Sequence, residues 1–245
     1  MKARAVAAQA RMETVLTLRR GESLLLTLGI PVALLAFFST VDVLPTDAVA
    51  ERPVDFLAPG VLALAVMSTA MVGLGIATGF ERHSLVLKRL GATPLGRGGL
   101  LFAKTASVLA VQAIQVVVLG VEALALGWRP TAGGTVMAAG AMLAATVAFA
   151  AIGFLLAGTL RPEVNLAAAN GLWVVLLLLG GIVVPLAELP AALRTVAHAL
   201  PAAALSDILH GALNDSVSVP ARAWVVLAAW AAAAPPVAAR AFRWE

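Results

Sequence analysis

The sequence predicts an all-α integral membrane protein: six transmembrane helices, an N-terminal interfacial helix, a short re-entrant helical hairpin between helices 5 and 6, and both termini in the cytoplasm. Three observations carry this expectation. Hydrophobic residues make up 61% of the 245 and charged ones 12%, with a mean hydropathy of +0.98, whereas soluble domains are nearer half apolar and a quarter charged. Six apolar stretches approach or exceed the roughly 20 residues that a helix needs to cross a bilayer core. Lysine and arginine are concentrated in alternate connections between those stretches.

Residues 1–23 open the chain. Ala5, Ala8, Met12, Val15 and Leu16 recur at three- and four-residue spacings among Lys2, Arg4, Arg11, Arg19 and Arg20, the pattern of a basic helix lying in the interface. The apolar run that follows is too long for a signal-peptide core, and Asp42 and Asp47 stand before the A-x-A form at Ala48 to Ala50. The spans fall at about 24–44, 57–80, 101–126, 135–160, 166–186 and 223–241. Lipid offers the backbone no hydrogen-bond partners, so each should be helical. Pro235 and Pro236 should kink or end the sixth early.

With the N-terminus inside, 13 of the 17 cations lie in inner segments, and Arg52, Arg129, Arg194 and Arg222 are the 4 outside. Trp128, Trp224 and Trp244 fall near span ends, where amphipathic rings favour the interface. The outer connection 187–222 is long and apolar. Leu189, Leu193, Val196 and Leu200 recur at helical spacing, and Pro190 and Pro201 stand where short helices can start, so this segment reads as a hairpin that dips back toward the membrane.

Catalytic readings find little support. Gly91 to Gly98 almost spells a phosphate-binding loop, but Arg97 replaces its lysine and Gly98 its hydroxyl. His198, Asp207 and His210 share the outer connection with Ser206, without the motif of a hydrolase or a metal site. No cysteine is present for a thiolate site or a disulfide. The positive charge reports topology here, and no nucleic-acid partner is expected. Glu122 is the acidic residue placed deep in a span, where a carboxylate costs about 2.5 to 3.5 kcal/mol. It could line a pathway, or reach toward water or toward Gln115 and Gln112 on the same helix. An ATP-independent, ion-coupled carrier built on Glu122 is the rival reading.

The most informative stretch runs from Glu81 to Lys104, with four of the 21 glycines and five of the 17 cations. Glu81 to Leu90 is expected as one helix, Pro94 as a bend, and residue 100 as the return to the membrane. Glu81-Arg82 at the end of the second span, Lys88-Arg89-Leu90-Gly91-Ala92-Thr93-Pro94-Leu95, and Lys104 opening the third resemble the membrane subunits of type-2 ABC exporters. The likeness extends over nearly the whole chain; Gly91 departs from it, standing where the family often has arginine.

The resemblance implies a single transmembrane domain over 1–245. It implies a coupling segment at 81–100, with Glu81, Arg82, Lys88, Arg89, Leu90, Thr93 and Pro94 docking on a cytoplasmic ABC ATPase dimer, and a gate hairpin at 187–222 carrying Pro190 and Pro201. It further implies a second permease chain, identical or related, and no cofactor on this chain, with ATP and Mg2+ on the ATPase. The expected place is a bacterial cell membrane, and the apolar spans favour a hydrophobic or amphipathic cargo such as a drug or lipid.

Overall fold

The computed structural model describes residues 2–19, 25–41, 52–91, 93, 95–214 and 218–243. Pro94, Ala92, Arg20, Asp42, Asp47, residues 48–50 and Trp244 lie outside the described residues, as do the side chains of Lys2 and Arg97.

Among the described residues the regular structure is helical, with no strand. The N-terminal helix α1 is Lys2–Arg19. A π-turn at Leu25–Gly29 leads into α2, Ile30–Thr40, whose Pro31 occupies the first turn, where its missing N–H costs nothing. The second span is the longest. It comprises α3 (Pro53–Met67), a π segment (Ser68–Gly73) and α4 (Leu74–His83), continuous over 31 residues. After α5, Val86–Gly91, the third span α6 runs Gly96–Ala125. The fourth, α7, is Thr135–Thr159, and the fifth, α8, is Pro162–Leu179. Two short helices, α9 (Ala191–Ala197) and α10 (Pro201–Leu213), meet at 86°. The sixth span, α11, is Ala221–Ala241.

Among the described residues five helices are long and apolar enough to cross a membrane, and the apolar segment Thr27–Thr40 supplies the described part of the first span. The hairpin appears where the prolines predicted it: Pro190 precedes α9 and Pro201 is the first residue of α10. Together these give the all-α membrane architecture expected.

The fourth span is the hub. It packs on spans two and six and on α10, and its buried face is largely Ala and Gly, including Ala141, Ala145, Ala148, Gly153 and Ala157. Small residues let helix backbones approach closely where no hydrophobic force distinguishes lipid from protein. At Gly153 the approach is so close that a Cβ would stand 2.7 Å from the Met71 carbonyl oxygen. Val117, Val121, Val136 and Leu143 are exposed on the opposite faces, as lipid-facing residues should be.

Buried amides tie the spans together beside the π segment. Thr69 Oγ1 donates to Gln115 Oε1 at 2.9 Å, and Gln115 Nε2 donates to the Thr27 carbonyl at 2.8 Å. Gln112 Nε2 donates to the Val66 carbonyl at 3.3 Å, while its Oε1 accepts from Thr146 Oγ1 at 2.8 Å. One face of α6 thereby fastens spans one, two and four, and a π segment survives in lipid because neighbouring polar groups serve it.

Three expectations are corrected. The sixth helix runs through Pro235 and Pro236 to Ala241. Two missing N–H donors cost less in lipid than ending the helix, which would leave a whole turn of carbonyls unserved. Glu81 to Leu90 is two helices. Ser84 Oγ meets the carbonyls of Phe80 and Glu81, and Leu85 turns left-handed at φ 59°, which stops the helix as a C-terminal cap does. Trp128 sits at the expected span end but points inward, only 5% exposed. Met12, Val15 and Leu16 are exposed, Met12 and Leu16 sharing a face with Gln9 and Glu13, and α1 packs on α6. An exposed apolar stripe beside a membrane end fits an interfacial helix.

Candidate functional site

The end of the bundle carrying α1 and α5 is the cation-rich one, expected from the charge count to be the inner end and so called here. Its centre is Lys104, two turns into α6 and 2% exposed. A buried ammonium is stable only when paired. Lys104 Nζ lies 3.0 Å from Glu13 Oε1 on α1 and 2.6 Å from Glu81 Oε2 on α4. Gln9 Nε2, one turn before Glu13, donates to the same Oε1 at 2.9 Å. Three helices distant in sequence are thus joined at one cation.

Arg82, next along α4, points elsewhere. Its guanidinium donates to the carbonyls of Gly158 and Leu160 at the end of α7, where unpaired carbonyls and the negative end of the helix dipole favour a cation. Beyond the Leu85 turn, α5 buries Leu87 completely and exposes Lys88 and Arg89. Leu90 is half-buried, and Thr93 Oγ1 donates back to the Leu90 carbonyl at 2.6 Å. The structure therefore divides the predicted coupling residues. Glu81 and Arg82 brace the bundle from within, Leu87 anchors α5, and Lys88, Arg89 and Thr93 lie on the surface.

Above this brace opens a cavity of about 1250 Å³. Its walls come from α1, the first two spans, α5 and α8, and include Met12, Ile30, Val72, Ile76, Phe80 and Trp173. Trp173 is fixed by its Nε1 donating to Ser68 Oγ at 2.8 Å in the π segment. Ligand pockets of small molecules run to about 1000 Å³ and are mostly apolar with a few polar groups; this cavity has that character and is larger.

At the opposite end the hairpin is latched to span two. Pro59 interrupts α3 and has no N–H for the Asp55 carbonyl one turn earlier. Asn214 Nδ2, just past α10, donates to that carbonyl at 3.0 Å. His210 Nε2 lies 2.8 Å from the Phe56 carbonyl, and Nδ1 lies 2.8 Å from that of Ser206. Ser206 Oγ donates to the Gly181 carbonyl at 2.9 Å, so serine and histidine are both engaged with backbone. Asp207 faces Arg222 at 3.5 Å. Nothing here assembles a nucleophile, a base and an oxyanion site, and no metal-binding group of three side chains occurs among the described residues.

Glu122 lies on the last turn of α6, half-buried, with Oε2 lacking a hydrogen-bond partner among the described residues. It does not join Gln112 and Gln115, whose amides are engaged with spans one, two and four.

Sequence reasoning named Lys104 as part of a motif and missed its partner Glu13, although Glu13 is the one acid on an otherwise basic helix. It also missed Asn214 and the use made of His210. A proline inside an apolar helix was the available signal for a carbonyl needing an outside donor.

A helical membrane protein of about six spans, with a charged inner elbow and an outer helical hairpin, is the class that fold and site define. The ABC-2 type transporter family model matches residues 5–213, and the chain belongs to that family. It is accordingly an ABC transporter permease, a multi-pass membrane component that partners an ABC ATPase subunit. Compared with curated proteins, the sequence matches none.

Proposed function

We propose that this permease is the membrane half of an ATP-driven exporter in a bacterial cell membrane, moving a hydrophobic or amphipathic substrate through a pathway completed by a second permease chain. ATP and Mg2+ are held and hydrolysed on the separate ATPase dimer. The surface of α5, with Lys88, Arg89 and Thr93, docks there together with α1. The cavity between α1 and spans one, two and five is the inner vestibule, and the hairpin of α9 and α10 is the outer gate.

The observation that carries this reading is the inner elbow. A short cationic helix stands on the surface beyond a left-handed break at Leu85, while the residues just before the break are fixed to α1, α6 and α7 by ions and charged hydrogen bonds. A ligand can shift a conformational equilibrium only by interacting differently with its two states. ATP bound on another subunit therefore needs a stiff connection into the spans, and Glu81, Arg82 and Lys104 supply it.

Co-expression with an ABC ATPase subunit tests the reading. Lys88→Glu with Arg89→Glu should lower copurification of the ATPase and ATP-driven export by tenfold or more, with membrane insertion unchanged. Unchanged export in that double variant overturns the coupling role. Copurification followed by mass spectrometry of the intact complex gives the number and identity of the permease chains.

A further inference from the structure

We propose that the cavity selects amphiphiles bearing a positive charge, an inference that rests on the vestibule reading above. Every formally charged side chain on the cavity wall, among the described residues, is a carboxylate: Glu13 and Glu81. Among the described residues no lysine or arginine side chain lines it, and His83 is the remaining titratable group. The cations that accompany these acids are withdrawn. Lys104 meets both carboxylates from behind at 2% exposure, and Arg82 is spent on the end of α7.

A charged ligand entering the cavity therefore meets oxygen before it meets nitrogen. In an apolar, poorly screened space that order decides the sign of the preference, because Coulomb energies grow as the effective dielectric falls. The rest of the wall suits the body of such a molecule. Met12, Ile30, Val72 and Ile76 offer apolar surface, and Phe80 and Trp173 add aromatic rings, a group that attracts cations within about 6 Å of its face. An anionic amphiphile of the same shape finds the apolar surface and no partner for its charge.

The test uses two probes of nearly identical shape and opposite charge, tetraphenylphosphonium and tetraphenylborate. The full-length chain in micelles of an uncharged detergent is equilibrated with each by dialysis, with empty micelles as the blank. The cation should bind at least about tenfold more tightly than the anion, a modest ratio for one close charge at intermediate dielectric. Glu13→Gln should reduce that ratio several-fold. Ile76→Lys, which places an ammonium on the same wall, should weaken binding of the cation tenfold or more.

Equal binding of the two probes by the unaltered chain, or preference for the anion, overturns the proposal. So does a cation preference that survives Ile76→Lys, because the site is then elsewhere. Neither outcome depends on whether Glu13→Gln folds. ATP-driven uptake of tetraphenylphosphonium into inside-out vesicles carrying the ATPase subunit is measured separately. Preferential binding with no such uptake supports the charge selection and counts against the export reading alone.

Discussion

The inner joint and the hairpin latch are made by different chemistry, although the outer end also carries the ion pairs Arg52–Asp55 and Asp207–Arg222. At the inner end the joints are ionic: Lys104 between Glu13 and Glu81, and Arg82 on the carbonyls that close α7. At the outer end the latch is made of side-chain nitrogens on backbone carbonyls, Asn214 on Asp55 and His210 on Phe56, the first of these carbonyls left unserved by Pro59. A buried charge cannot lose its partner cheaply, so the inner joint holds as a unit and transmits displacement. A neutral hydrogen bond is worth about 0.5 to 1.5 kcal/mol net, and its partners can turn to water when it opens. Stiffness belongs where force enters, and exchangeable bonds belong where an element must open and reclose.

The sharpest way to break this contrast is Lys104→Met. It leaves two carboxylates facing each other without their ammonium, and removing one member of a buried ion pair costs about 3 to 5 kcal/mol. The unfolding midpoint in detergent should fall by many degrees, and adding Glu13→Gln should recover part of the loss. A midpoint unchanged by Lys104→Met would show that the inner joint carries no such strain. Arg82→Met comes next. It removes two charge-assisted hydrogen bonds at the end of α7, each worth about 1.5 to 3 kcal/mol before solvent takes their place. Thermal unfolding should register a smaller loss than for Lys104, and ATP-driven export should fall with it.

Much of this frame was legible in the sequence because its signals are local. Apolar length gives the spans, Pro190 and Pro201 give the hairpin, and the 81–104 motif gives the family. The inner joint was not, because Glu13 and Lys104 are 91 residues apart and only the packing of α1 on α6 brings them together. The predicted single helix from Glu81 to Leu90 failed at Leu85, where a residue without special conformational freedom adopts the left-handed form that Ser84's bonds and the burial of Leu87 impose. Pro235 and Pro236 do not end the sixth helix early, because the alternative there is exposure of its backbone to lipid.

A gentler probe acts on the outer latch. Asn214→Ala removes the donor to the Asp55 carbonyl and should cost about 1 kcal/mol in the unaltered chain. Pro59→Ala restores an N–H one turn below that carbonyl, so the helix can serve it alone. In the Pro59→Ala background the cost of Asn214→Ala should therefore shrink toward zero, a coupling that a double-mutant cycle measures directly. Equal costs in both backgrounds would mean that the amide packs without repairing the proline break.

The smallest effect is expected at Glu122, and it is the one that tests whether a carboxylate on the third span drives transport. The residue sits on the last turn of α6 with a carboxylate oxygen unpartnered among the described residues, outside both the latch and the cavity wall. If export is driven by ATP through the inner elbow, Glu122→Gln removes a charge that neither couples nor gates. Transport should then stay within about twofold, and stability should be unchanged or slightly higher, since a neutral amide is easier to bury than a carboxylate. If instead the chain carries its substrate by exchange with an ion, the same substitution should abolish transport, and transport by the unaltered chain should collapse when an ionophore dissipates the gradient. Measuring ATP-dependent uptake in inside-out vesicles with and without an ionophore, for both the unaltered chain and Glu122→Gln, separates the two cases, because only the ion-coupled carrier loses transport in both treatments.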